Sequence, residues 1–555
     1  MCIATVRVRL VAIGTAACVS LGILVGHSSG AAPDGPPDRA SEAGEVLYNG
    51  IVLPKTWPPR MEQLPHEPVT PPYLVSPPEV IPIDVGRQLF VDDFLVEETT
   101  LKRTFHRATY YEKNPVLSPD RPWETATQPN PCAMVFSDGV WYDPADGRFK
   151  MWYMAGYVAA TCYANSQDGI RWEKPELDVV PGTNLVQQGW RDSSTVWLDH
   201  QTKDPAERFK FAYYTNRGLA LCTSPDGVHF SDPVRSGPTG DRTTFFYNPF
   251  RNRWIYGIRA GASGFGRIRL YWEAEDFLDD ADWKSGEPVL WVGADNADPK
   301  RDDLGTPAQL YNLDCVAYES LMLGLFTIWR GQPGDRAKPN EVCLGFSRDG
   351  FHWHRPERRA FIPVSENHGD WNWANVQSAG GGCLVVGEKL YFYLSARAGV
   401  PGTRSSGVCS TGLAMLRRDG FASMDADQEE GTLTTRPVRF QGTHLFVNAD
   451  AARGELRAEA LDAEGTPIAP FTRENCVPLK ADSTIAAICF SGAEDLSKLA
   501  GRTVRLRFYL KGGSLYAFWL SPDPSGASHG YVAAGGPGFD GPVDTVGVKA
   551  LGSQP

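Results

Sequence analysis

The phrase Ser-x-Asp-Gly-x-x-(Trp/Phe) is written three times in this chain, as SQDGIRW at residues 166–172, SPDGVHF at 224–230 and SRDGFHW at 347–353. A shortened copy, Arg418-Asp419-Gly420-Phe421, lacks the serine. Asp168 and Asp226 lie 58 residues apart, Asp226 and Asp349 123 apart, and Asp349 and Asp419 70 apart. The middle interval is about double its neighbours, so one copy is missing from a regular array. Asp-Gly between apolar segments marks a tight hairpin, because glycine tolerates positive φ and aspartate bonds its own turn. A repeating unit of this size built from strands reads as one blade of a β-propeller. Such a ring gathers the start of every innermost strand around one axis, so residues distant in sequence converge there.

The second strands of five blades are legible at residues 149–153, 209–214, 254–258, 323–329 and 390–394, each preceded by a turn and another apolar strand. Blade three has no Ser-x-Asp-Gly phrase; Ala274-Glu275-Asp276-Phe277 stands in its place and accounts for the doubled spacing. Helical periodicity is almost absent. Past Asp425 the pattern changes to apolar–polar alternation, as in 455–460, 504–510 and 515–520, which is the mark of half-buried sandwich strands. The expected organisation is therefore a signal peptide over 1–31, a Pro-rich linker or strap over 32–80, a five-bladed β-propeller over 81–425, a C-terminal β-sandwich over 430–522 and a flexible tail over 523–555. The ring should close between the region around 88–96 and blade five, since an open ring leaves strand edges unpaired. The Asp-Gly turns should sit on outer hairpins as structural repeats, away from the axis.

The signal assignment rests on Arg7 and Arg9, the apolar run over residues 10–25 and the small residues up to Ala31-Ala32. It predicts an exported protein, periplasmic or extracellular. No later stretch is long and apolar enough to span a membrane, so no membrane insertion is expected once the signal is removed. A net charge of −12 argues against nucleic acid or an anionic membrane as partner. Of 11 cysteines, those after Cys18 are scattered without CxxC or CxC spacing and read as buried thiols, neither a metal cluster nor a disulfide framework. There is no GxxxxGK(S/T), HExxH, GxSxG or GxGxxG opening a helix, so nucleotide, zinc-protease and serine-hydrolase chemistry have no support.

Aligning the blades on the turn after each innermost strand brings three acids to one repeat position. These are Asp192 in Trp190-Arg191-Asp192-Ser193, Asp241 in Gly240-Asp241-Arg242-Thr243 and Asp314 in Asn312-Leu313-Asp314-Cys315. Each precedes its turn by about a strand's length. Crowded carboxylates raise one another's pKa, and two of them in different protonation states are what glycosidic cleavage requires. Arg191 is expected to keep one of them ionised. Glu319 is a rival acid at the outer end of its strand. Asn375, Gln377, Arg397, Arg191, His106 and His368 are candidates for contacts to sugar hydroxyls.

In these segments the chain resembles the glycoside hydrolase families 32 and 43 group, five-bladed propellers often followed by a β-sandwich. Arg191-Asp192-Ser193 is similar to the Arg-Asp-Pro motif of family 32, and Leu313-Asp314-Cys315 to its Glu-Cys motif, with Asp in place of Glu. Asn114-Pro115-Val116-Leu117 resembles the opening of related propeller enzymes, and the segments at 89–93 and 103–107 resemble exported bacterial proteins labelled family 32-like. The resemblance implies that Asp192 steadies the transition state and Asp314 is the general acid. The nucleophile motif Asn-Asp-Pro-Asn is missing: its place falls near Phe136, with Asp138 two residues on and Glu124 upstream. The retaining mechanism therefore does not carry over. The expected function is hydrolysis of a glycosidic bond in an oligo- or polysaccharide, without cofactor; no motif supports an axial calcium. The alternative is a sugar-binding propeller that has lost its acid pair.

Overall fold

The computed structural model describes residues 44–216 and 218–552. The expected signal peptide over 1–31, the start of the Pro-rich stretch and the last three residues of the tail lie outside them. The described chain is all-β, its two α-helical stretches being the four-residue turns Pro72–Val75 and Pro122–Thr125.

Five consecutive antiparallel modules fill residues 132–417. Their inner strands are Cys132–Met134 with Val140–Asp143, then Ser194–Leu198, Thr244–Asn248, Gln309–Glu319, and Asn375–Ser378 with Leu384–Val386. The second strands are Arg148–Ala155, Phe209–Tyr214, Arg253–Ala262, Leu321–Trp329 and Lys389–Arg397, each containing the segment read from the sequence. Burial is nearly complete on both faces of these strands, because each sheet packs between two others.

Contacts between modules run in chain order and return to the first. Trp141 Nε1 donates to Val196 O, the Arg242 amide to Ser193 Oγ, Thr244 Oγ1 to Leu313 O and the Ser378 amide to Thr327 Oγ1. Module five then meets module one, where Cys409 pairs in parallel with Cys132 and Val140 N donates to Gly380 O. The outer strand of module five comes from the front of the chain: Thr109–Tyr110 pairs with Met415 and Ala414, and Leu117 bridges Thr411. Closure thus falls at 109–117, not at 88–96. Gln88–Leu89 instead pairs with Gly513–Ser521, and Val96–Thr99 with Gly431–Thr435, and Phe90, Phe94, Leu95 and Val96 are buried in the core of the C-terminal sheets.

The Ser-x-Asp-Gly phrases staple neighbouring modules. In each, the serine Oγ accepts the glycine amide at 2.9 Å and the aspartate Oδ1 accepts the two amides that follow. The glycines take φ of +70°, +80° and +80°, and the turn is then held from next door. Trp152 of module one donates to Gly227 O of module two, Trp291 of module three to Phe351 O of module four, and Tyr393 of module five to Gly169 O of module one. Asp168, Asp226 and Asp349 accordingly stand in three different modules. The shortened fourth copy behaves otherwise. Asp419 is fully buried, pairs with Arg87 at 2.8 Å and accepts from Tyr318 and Asn448.

After residue 425 two further sheets share one apolar core. One includes His444–Asp450, Asp482–Ile488 and Gly513–Ser521, the other Gly431–Thr435, Glu455–Leu461 and Arg505–Lys511. Leu445, Leu456, Phe508 and Phe518 meet in that core together with Leu47, Ile51, Leu53 and Tyr73 of the Pro-rich stretch. That stretch, where described, is a packed strap. The segment after Pro522, expected as a flexible tail, is also packed: Tyr531–Val532 pairs with Tyr318 and Glu319, and Val532, Ala534 and Phe539 are buried. Its glycines let the backbone run close to Val385 and Tyr142. Tyr531, Ala533 and Pro542 line a small cavity with Trp141, Trp197, Tyr247 and Val316, so this segment covers the far ends of the inner strands.

Candidate active site

At the opposite, leading ends of the inner strands all five modules contribute to one polar network. Asp138 and Ser137 come from module one, Arg191, Ser193 and Ser194 from module two, Arg242 from module three, Asn312 and Asp314 from module four, and Ser378 from module five. Module one can supply two adjacent axial groups because its inner strand is interrupted between Met134 and Val140, with Ser137 at φ +62°.

Asp314 lies at the centre. Its Oδ2 accepts from Ser378 Oγ at 2.5 Å, Asn312 Nδ2 at 2.6 Å and Ser137 Oγ at 3.3 Å, while its buried Oδ1 has no hydrogen-bond partner among the described residues. Burial pushes its pKa up against the pull of Ser378 and Arg242, which favours the protonated form. Asp138 is equally buried. It pairs with Arg191 Nη2 at 2.9 Å and accepts from Ser194 Oγ and the Phe136 amide. Burial raises this carboxyl too, with Arg191 opposing. Ser137 ties the two acids together, as it neighbours Asp138 in the chain and donates to Asp314.

Asp192 and Asp241 stand one layer further out. Both are partly exposed, and both act on the Tyr214 phenol, whose pKa is raised by burial and then by these two carboxylates. Asp241 is paired with Arg259 at 3.3 Å. The three acids aligned from the sequence therefore share one end of the ring but not one layer. The inner strand of module four begins at Gln309 and has a register shift between Leu310 and Asn312, so counting back from its turn reaches a residue inside the strand. Arg191 holds Asp138, not Asp192. Trp190, 46 % exposed, lies at this rim with its ring centroid 6.3 Å from that of Tyr214, a flat apolar face beside two carboxylates.

The other sequence candidates divide cleanly. Asn375, Gln377 and Arg397 belong to this end: Gln377 Nε2 donates to Asn375 Oδ1 at 2.6 Å, Asn375 Nδ2 to Lys338 O at 2.6 Å, and Arg397 lies 5.4 Å from the Phe136 ring centroid. Glu319 does not. It ends its strand, buried between Arg87 (3.4 Å) and Arg418 (3.1 Å), with Ser528 donating to it, so it joins the segment around Arg87 and the C-terminal segment to the ring. His106 bonds Ser423 Oγ at 2.8 Å and lies beside Tyr516. His368 is exposed against Trp373. Neither histidine touches the axial groups. Glu124 is held by Lys174 and Tyr153 and caps its own short helix.

Sequence reasoning passed over Arg242, Tyr311, Lys338 and Ser378. Arg242 had a signal, the Asp241-Arg242 pair at an inner-strand opening; the others have none short of the fold. Tyr311 is buried, which alone would raise its phenol, but Lys338, Arg397 and Arg242 outweigh burial and hold it below its ordinary value.

No protein-family model and no curated protein matches the chain. Among solved structures, it is similar to an N-acetylgalactosamine deacetylase from F. plautii in complex with blood group B trisaccharide, at 14% identity over 57% of this chain and 96% of that one, TM-score 0.39. It is also similar to a thermostable family-43 glycoside hydrolase at 12% identity over 54% and 96%, TM-score 0.39. A β-1,2-mannobiose phosphorylase from Listeria innocua matches at 13% identity over 56% and 96%, TM-score 0.36. At that distance no residue role passes from them to this chain.

Proposed function

We propose that the chain is an exported glycoside hydrolase, its five modules the blades of a β-propeller and its last two sheets a β-sandwich. The carrying observation is the axial network, in which five modules place a buried carboxyl, Asp314, next to a rim bearing Asp192 and the exposed Trp190. Among the described residues Asp314 has no cation in ion-pair contact and its Oδ1 has no hydrogen-bond partner, and burial favours its protonated form, so it is the group assigned to give a proton to the departing glycosidic oxygen. Asp192, half-exposed at the rim, is the carboxylate that activates water. Asn375, Gln377 and Arg397 orient hydroxyls, and Trp190 offers a face on which a sugar ring stacks. No cofactor enters the reading.

A second reading has support of its own. Asp138 and Asp241 are each tied to an arginine, as in a ring that binds sugar and has given up the chemistry. Incubation of the purified protein with a panel of plant and algal oligosaccharides separates the two. Release of new reducing ends, abolished in Asp314→Asn, supports the hydrolase. Binding without release supports the second reading.

A further inference from the structure

The same end of the ring is rich in cations without a carboxylate partner. Although the chain carries a net −12, Arg242, Arg269, Arg397, Lys338 and Arg267 all lie here and none has a carboxylate within ion-pair distance among the described residues. The Arg242 guanidinium lies 3.8 Å over the Phe136 ring and, among the described residues, donates to Phe136 O and Ser137 Oγ alone. Arg397 covers Phe136 and Tyr157, both at 5.4 Å, and bonds Ser406 Oγ. The Nε atoms of both guanidiniums are buried without a hydrogen-bond partner, and both residues are 2 % exposed. Around the next ring, Tyr311, stand Arg267 at 5.2 Å, Lys338 at 5.6 Å and Arg242 at 6.0 Å. Arg269 donates to the Tyr311 carbonyl at 2.5 Å. Among the described residues, Asp192 and Asp314 are the axial acids without an ion pair, and Asp335 of the Lys338 loop has none either, so the five cations outnumber them.

Elsewhere this protein pairs its buried arginines: Arg348 with Asp92, Arg355 with Asp298, Arg418 with Glu319 and Asp544. Leaving cations buried and unpaired is costly, and a ligand that brings the missing negative charge recovers part of that cost. Guanidinium forks match planar or tetrahedral oxyanions and are rigid before the ligand arrives. We propose that the axial mouth selects an anionic sugar, one carrying a carboxylate or a sulfate, held between Lys338 and Arg267 at the entrance with Arg397 and Arg242 behind. This inference rests on the carbohydrate reading above and narrows its substrate class. The depressed phenol of Tyr311 agrees with the charge excess.

Calorimetric titration of the full protein with three ligands tests it: an oligogalacturonate, a sulfated galacto-oligosaccharide and a neutral galacto-oligosaccharide. One of the two anionic ligands should bind at least ~10-fold tighter than the neutral one, with an advantage that shrinks as salt rises. The two anionic arms tell carboxylate from sulfate. Lys338→Met and Arg267→Gln should each weaken that ligand by ~10-fold, Lys338→Arg should largely restore it, and Lys498→Met, an exposed lysine of the C-terminal region, should change nothing. A melting curve for each variant establishes that it is folded. Equal affinity for neutral and anionic ligands, or undiminished binding by folded Lys338→Met and Arg267→Gln, overturns charge selection and leaves the carbohydrate reading standing. Failure of all three sugars to bind overturns both.

Discussion

Gly227→Ala puts the stapling role of the repeated phrase to a quantitative test. Gly227 sits at φ +80°, and a Cβ there would come 2.5 Å from Trp152 Cζ2 of the preceding module. Gly182 has almost the same φ, +79°, with nothing among the described residues within 4 Å of its Cβ position. The pair separates two costs. Left-handed backbone for alanine costs about 1–2 kcal/mol at either site. At Gly227 the clash adds roughly 1–3 kcal/mol for overpacking, and displacement of the Trp152 indole, which donates to Gly227 O at 2.7 Å, costs about 1 kcal/mol more. Gly182→Ala should therefore lose about 1–2 kcal/mol and Gly227→Ala about 3–6 kcal/mol. Urea unfolding followed by tryptophan fluorescence reads both, with the loss taken from the shift in midpoint at constant slope. Equal losses in the two variants would show that the turn is not braced by its neighbour.

Glu319→Gln should destabilise the fold by about 1.5–3 kcal/mol, because Arg87 and Arg418 lose the carboxylate they share and keep only Asp419 and Asp544; a melting shift no larger than that of an exposed Glu→Gln change contradicts this. A chain ending at Pro522 should melt well below the full protein, since it loses Val532 and Phe539 from the core at about 1.5–3 kcal/mol per side chain. Asp143 resists burial through Arg208 and Lys150, which hold its carboxyl down to about 2. Because the folded value is depressed, its contribution is complete above the unfolded carboxylate value near ~4 and is lost as pH falls toward about 2. The stability gap between wild type and Asp143→Asn should therefore be constant at neutral pH and narrow below pH ~4; a gap that does not change with pH refutes it.

The strand modules were legible because their information is local. Each second strand is an apolar run bounded by turn residues, and the Asp-Gly phrase marks where the third strand ends in every module but the third. The helix-poor composition and the change of pattern past Asp425 needed no three-dimensional knowledge either. Closure at 109–117 was not legible, since Thr109–Tyr110 is two residues of strand with no period to read. The glycine-rich end looked loose for a related reason: its packing is backbone against backbone, which leaves few apolar side chains in the sequence. At the candidate site, the repeat position brought Asp192, Asp241, Arg191 and Asp314 to one end of the ring. Asp138 was legible only as the acid two residues past the place of the absent nucleophile motif, Arg242 only as the neighbour of Asp241, and Lys338 not at all, because it stands on a loop of module four without sequence period. Glu319 was legible as an acid at a strand end, but its arginine partners lie 232 and 99 residues away in the chain.

The most direct test of the central claim is the comparison of turnover with binding in Asp314→Asn. If Asp314 donates the proton, its loss acts in the transition state, and kcat for any glycoside the protein cleaves should fall by about 10²–10⁴-fold while the Kd of the same sugar changes by less than ~3-fold. Asn312, Ser137 and Ser378 can still hydrogen-bond the amide, so the variant should remain folded. Near-parental kcat in a folded Asp314→Asn protein would contradict the account and remove the axial carboxyl from the chemistry.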